Sequence, residues 1–117
     1  MEKTYFYDEL PPMECFAGDT LPAFHIVPEG ITLANSATMV ILLEDHKTPG
    51  SVALSKSCSL VEDTVYGKHF RAQLGSSDTS GLCGTYRLHF VMTQSGAEYE
   101  KLTGTLTVRQ KVRVIGS

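Results

Sequence analysis

The sequence predicts an all-β fold: one domain of 117 residues, built as a two-layer antiparallel sandwich of about seven to nine short strands. Three observations carry that expectation. Apolar and polar residues alternate over two long C-terminal runs, the period of a half-buried strand. Short turn-forming clusters separate the remaining apolar segments. No segment shows the apolar spacing of a helix of two turns or more. Hydrophobic residues make up 42% of the chain and charged residues 20%, so a packed core is affordable and disorder is excluded as a class.

In chain order, Thr4 to Asp8 is aromatic and strand-like, and Pro11-Pro12 breaks it. Residues 1–15 therefore read as an N-terminal strand and a proline-containing segment. Ala23 to Val27 turns Phe24 and Ile26 inward. Thr38 to Glu44 is apolar on both faces, as in a strand covered on both sides. Lys47-Thr48-Pro49-Gly50 is a turn, and Ser51 to Leu54 follows it as a short edge strand. Ser57 to Val65 is less regular, with Cys58, Leu60 or Val61, and Val65 inward. Lys68 to Leu74 places Phe70, Ala72 and Leu74 inward, and Leu74 to Leu82 has room for one helical or 3₁₀ turn. Thr85 to Thr93 buries Tyr86, Leu88, Phe90 and Met92. Gln94-Ser95-Gly96-Ala97 then makes a hairpin turn into Lys101 to Val114. In that last run Leu102, Leu106, Val108, Val112 and Val114 share one face, and residues 109–117 form a basic extension of the strand.

The segment Asp78-Thr79-Ser80-Gly81-Leu82-Cys83-Gly84-Thr85-Tyr86 has the pattern of a tyrosine corner. A chain crossing between sheets leaves backbone groups unpaired, and a tyrosine at the start of the next strand satisfies them with its hydroxyl. Asp78, Leu82, Gly84 and Tyr86 are the structural residues of this corner. The hydroxyl is expected to bond backbone near Asp78 to Leu82, with Gly84 supplying close approach or an unusual backbone angle. The fold expected is thus an Ig-like sandwich. An antibody-type domain carries a cysteine where this chain has Leu88, and a buried tryptophan where this chain has none, so apolar packing holds the layers together.

Five segments form a further pattern: Ala17-Gly18-Asp19-Thr20 before Phe24 and Ile26, Thr38-Met39-Val40-Ile41-Leu42-Leu43, Phe70 to Leu74 with Asp78-Thr79, Gly84-Thr85-Tyr86-Arg87-Leu88-His89-Phe90, and Gly96 with Leu102-Thr103-Gly104-Thr105-Leu106-Thr107-Val108. In these residues the chain resembles small phage and prophage tail proteins, above all the Ig-like N-terminal domain of phage baseplate upper proteins. The likeness spans roughly residues 16 to 108. It implies a small, non-enzymatic structural component of a tail or baseplate that works through protein contacts. The competing reading is an Ig-like carbohydrate- or protein-binding module at a cell surface.

Catalytic, cofactor-binding and metal-binding sites are not expected. Cys15, Cys58 and Cys83 are odd in number and widely spaced, and they read as reduced thiols. There is no Gly-x-Ser-x-Gly elbow and no glycine-rich loop leading into a helix. Glu44-Asp45 and Glu62-Asp63 flank turns and read as solvated; Asp19 and Asp78 read as turn caps. His25, His69 and His89 each adjoin an inward phenylalanine, so they point outward as solvent-facing polar residues. If residues 23–27 and 68–74 are neighbours in one sheet, His25 and His69 share an outer face, and a metal there would need a third ligand such as a carboxylate.

The net charge of −3 argues against a nucleic-acid partner. The longest apolar run, Met39 to Leu43, is far short of the roughly 20 residues of a membrane span. The first residues lack the signature of a signal peptide, which implies synthesis in a cytoplasm, with a virion as the alternative destination. Residues 1–63 sum to −7 and residues 64–117 to +4. Internal pairing between neighbouring strands is the simplest use of that asymmetry. The candidate interaction surface comprises Val40 and Leu42, on a strand with two apolar faces, and Arg109, Lys111 and Arg113, on a closing strand that outruns its hairpin partner. Such a surface suits other tail proteins or a second copy of the chain.

Overall fold

A computed structural model describes residues 12–27 and 32–110 of the chain. Among these residues lie eight strands and one helical turn: β1 (Met13–Phe16), β2 (Phe24–Ile26), β3 (Thr38–Asp45), β4 (Val52–Ser57), β5 (Ser59–Asp63), β6 (Gly67–Ala72), α1 (Ser76–Thr79), β7 (Gly84–Gln94) and β8 (Ala97–Arg109). The strands form two sheets, ordered β1-β8-β7-β3-β4 and β2-β6-β5. The all-β architecture and the single turn of helix agree with the sequence pattern. The expected strand over Thr4 to Asp8 and the alternation of Val112 and Val114 lie outside the described residues.

The core follows from the pleat. In β7 the alternating residues Tyr86, Leu88, Phe90 and Met92 are buried. In β3 the buried set is Met39, Ile41 and Leu43, so of its two apolar faces this is the one turned to the core. Cys15, Leu106 and Val108 add to the five-stranded sheet's share, and Ile26, Phe70 and Ala72 come from the smaller sheet into the same apolar cluster. Phe24 of β2 meets Phe90 of β7 edge to face, with centroids 5.6 Å apart. That geometry suits the ring quadrupoles and joins the sheets.

The β7–β8 hairpin turns on Ser95 and Gly96, which both have positive φ (54° and 79°). Two left-handed residues in a two-residue loop match the twist of the flanking strands. Further along the hairpin the register slips between Phe90 and Val91, so Tyr99 packs against the core although it is odd-numbered and Leu106 is even.

Four expectations are corrected. The pairing is not antiparallel throughout: β1 lies parallel to β8, with Met13 opposite Leu106 and Phe16 opposite Arg109. The closing strand therefore does not offer a bare edge at Arg109, because β1 occupies it and the Ala17 N–H continues the ladder to the Arg109 carbonyl at 2.8 Å. Val65 is exposed, because the chain turns at Asp63 and the residue sits in the loop before β6. His69 is fully buried and does not face solvent.

Tyr86 is buried, and its hydroxyl donates to the Cys83 carbonyl (3.0 Å) and accepts from the Cys83 N–H (2.9 Å). The bonded residue lies just beyond the expected window of Asp78 to Leu82. Leu82 is buried beside it. Gly84 has φ 114°, and a side chain there would meet nothing within 4 Å. The glycine therefore answers a backbone angle and not a close approach.

Candidate functional site

Two clusters of functional side chains lie on the faces turned away from the core. The first is on the five-stranded sheet. Cross-strand register places Val40 between Ser57 and Val91, Leu42 between Ser55 and His89, and Glu44 between Val52 and Arg87. Val40, Leu42 and Val91 are half-buried and make a small apolar row at the centre of this face. Beside it the His89 Nε2–H donates to Glu44 Oε1 at 2.9 Å. The other oxygen of Glu44 accepts the Gly50 N–H at 2.6 Å. The Gly50 N–H, and then His89, hold the Glu44 carboxyl below the usual carboxylate range.

At the far edge of the same sheet, Arg109 reaches Glu14 through two contacts of 3.3 Å. Arg109, expected on a surface free for a partner, thus has an acidic neighbour within its own chain. Lys56 and Asp78 form a second pair at 2.9 Å. Arg109–Glu14 joins a base of the second half to an acid of the first, whereas Lys56–Asp78 joins the halves in the opposite sense. Lys111 and Arg113 lie outside the described residues. Asp78 also accepts the Gly75 N–H at 2.8 Å and so caps α1, and Asp19 accepts the Phe16 N–H at 2.9 Å, as their positions before threonines suggest.

The second cluster is on the three-stranded sheet. β2 and β6 are indeed neighbours, with His25 opposite Arg71 and Ile26 opposite Phe70. His25 and His69 are therefore diagonal neighbours on one face. His25 Nδ1 and His69 Nε2 are 3.2 Å apart. His69 Nδ1 lies 2.9 Å from the Gly67 carbonyl, which can only accept, so that nitrogen carries the proton. In neutral His69 the lone pair is then on Nε2, facing His25.

The turn between β5 and β6 supplies the rest. Asp63 Oδ1 accepts the N–H groups of Val65 (3.0 Å) and Tyr66 (2.7 Å). Gly67, with φ 70°, ends the turn in the left-handed region. The Tyr66 ring folds back over the histidines, stacked on His25 and edge-on to His69, each at 5.1 Å between centroids. Asp63 Oδ2 stands 4.0 Å from His69 Nε2. The Tyr66 N–H holds the Asp63 carboxyl below its ordinary value. Burial, followed by the neighbouring His69 and Arg71, lowers His25.

Sequence reasoning paired His25 with His69 but missed Asp63 and Tyr66. The available signal was Asp63-Thr64-Val65-Tyr66-Gly67, an aspartate-initiated turn closed by glycine, which returns the fourth residue over the strand it came from. Neither a family model nor a curated protein sequence matches the chain.

Proposed function

We propose that this chain is a non-catalytic Ig-like interaction module, serving as a small structural component of a phage or prophage tail or baseplate. The strand order supports the Ig-like reading. With β2 as strand B, the five-stranded sheet follows the order G-F-C-C′ from β8 to β4, and the smaller sheet follows B-E-D. Tyr86 lies at the start of β7 with its hydroxyl on the Cys83 backbone, which supports reading it as a tyrosine corner. The tail assignment rests on the sequence resemblance over residues 16 to 108.

The observation that carries an interaction role is the row Val40, Leu42 and Val91. It lies on a sheet face turned away from the core, where no other described strand is stacked. A few apolar side chains rimmed by the hydrogen-bonded Glu44 and His89 form the centre-and-rim pattern of a protein contact. The occupant in this reading is another tail protein encoded beside this chain.

Calorimetry against each co-encoded tail protein tests it. The wild type should bind one of them, and Leu42→Arg should abolish binding without changing the melting temperature. Binding to none of them, or binding that survives Leu42→Arg and Val40→Glu alike, overturns the proposal.

A further inference from the structure

The His25, His69 and Asp63 cluster has no part in that proposed docking face, because it lies on the other sheet. We propose that His25 Nδ1, His69 Nε2 and Asp63 Oδ2 form a binding site for one divalent cation of the zinc type.

Four features support it. First, two nitrogens bound to tetrahedral zinc at about 2.0–2.1 Å must stand about 3.3 Å apart. His25 Nδ1 and His69 Nε2 stand at 3.2 Å. Second, His69 is fully buried and has its ring fixed by the Gly67 carbonyl at 2.9 Å. A carbonyl on the remote nitrogen is the outer partner that metal-ligating imidazoles carry, since it sets the tautomer and aims the lone pair. Third, Asp63 divides its oxygens. Oδ1 is committed to two backbone N–H groups, while Oδ2 faces His69. Fourth, the Tyr66 ring walls one side of the cluster, while the Asp63 side chain is 45% exposed and leaves an approach from solvent.

As the side chains stand, no group of three His, Cys, Asp or Glu among the described residues could hold a metal ion, so the proposed site forms only with side-chain movement. Asp63 Oδ2 stands 4.0 Å from His69 Nε2, so a cation held by both imidazoles has to draw the carboxylate in. Bringing that one pair to the separation of two tetrahedral zinc ligands shortens it by roughly 0.7 Å, and the Asp63 side chain is 45% exposed and has solvent to move through.

Without metal, the proton between the rings belongs to His25 Nδ1, because His69 Nε2 holds a lone pair. On binding, His25 passes to its Nε2–H tautomer and presents Nδ1 to the cation, with no net change in protons. Two neutral imidazoles and one carboxylate leave the fourth position for water. Arg71, beside His25, is the opposing charge. Imidazole and carboxylate together suit zinc better than the oxygen-seeking cations magnesium and calcium.

The test uses the full chain stripped with chelator, titrated with Zn²⁺ by calorimetry and with Co²⁺ by visible absorption. One ion per chain is expected, with a cobalt spectrum free of thiolate charge-transfer bands and a melting temperature that rises with Zn²⁺. Asp63→Asn keeps an acceptor for the turn and should weaken binding roughly tenfold or more. His25→Gln should abolish it. The melting temperatures of the stripped variants report whether each folds, and Asp63→Asn decides alone if His25→Gln does not. Absence of saturable binding, thiolate bands in the cobalt spectrum, or undiminished affinity in Asp63→Asn overturns the proposal.

Discussion

Thr79 Oγ1 donates to the Asp19 carbonyl at 2.7 Å, across sixty residues of sequence, and accepts the Gly18 N–H at 3.0 Å. Thr79 is fully buried. One hydroxyl thus satisfies two backbone groups of the loop after β1 and fastens that loop to α1. Valine has nearly the same shape and neither bonding capacity. Thr79→Val should lower stability by about 1–3 kcal/mol, the cost of leaving buried partners unpaired, while Thr79→Ser should retain most of it. Urea unfolding midpoints of the two variants check this.

Tyr86→Phe removes both bonds to Cys83 and leaves the ring in place. A loss of about 1–2 kcal/mol is expected. An unchanged denaturation midpoint would show that water satisfies the Cys83 backbone as well as the phenol does.

Asp78 carries a pH dependence of defined sign. Its carboxyl lies below the ordinary value of 3.8, chiefly because the Gly75 N–H and next Lys56 favour the charged form. A depressed carboxylate stabilises the fold above its unfolded value and loses that contribution as the pH falls through its folded value. The stability gap between wild type and Asp78→Ala should therefore be constant near neutrality and shrink once the pH falls below about 3.8. Paired urea titrations at several pH values measure it.

The three thiols should react in a fixed order. Cys83 is exposed, Cys15 is buried with its ionisation pushed up by burial, and burial pushes Cys58 up to about 12. The thiolate is the nucleophile, so native alkylation should label Cys83 first and Cys58 very slowly. Unfolding without reductant should expose all three to labelling. A protected pair in the mass spectrum would contradict three free thiols.

The elements legible in the sequence were those that carry their own period. β3, β7 and β8 alternate over many residues, and Ser95-Gly96 marks its hairpin directly. β1 was hidden because four residues give almost no period and its partner is the last strand. Val65 was misplaced because its apolar side chain outweighed the turn that Asp63 builds. His69 was expected at the surface on alternation alone. The pattern places it correctly on the face away from the core, but its burial depends on Tyr66 and on His25 from a distant strand. On the sheet the apolar row could be foreseen from Val40 and Leu42, whereas the Glu44–His89 bond needed the register of β3 against β7.

The parallel seat of β1 on β8 also governs when the domain can finish forming. Met13 finds its partner only at Leu106, so closing that contact carries a large loop-entropy cost that nearby pairings do not share. The local β7–β8 hairpin can zip early, but it too lies at the C-terminal end. On a ribosome, β1 must wait outside the exit tunnel, unpaired, until almost all of the described chain has been made. Its burial then becomes a late step, and amide exchange in Met13 to Phe16 should report the last protection gained during refolding.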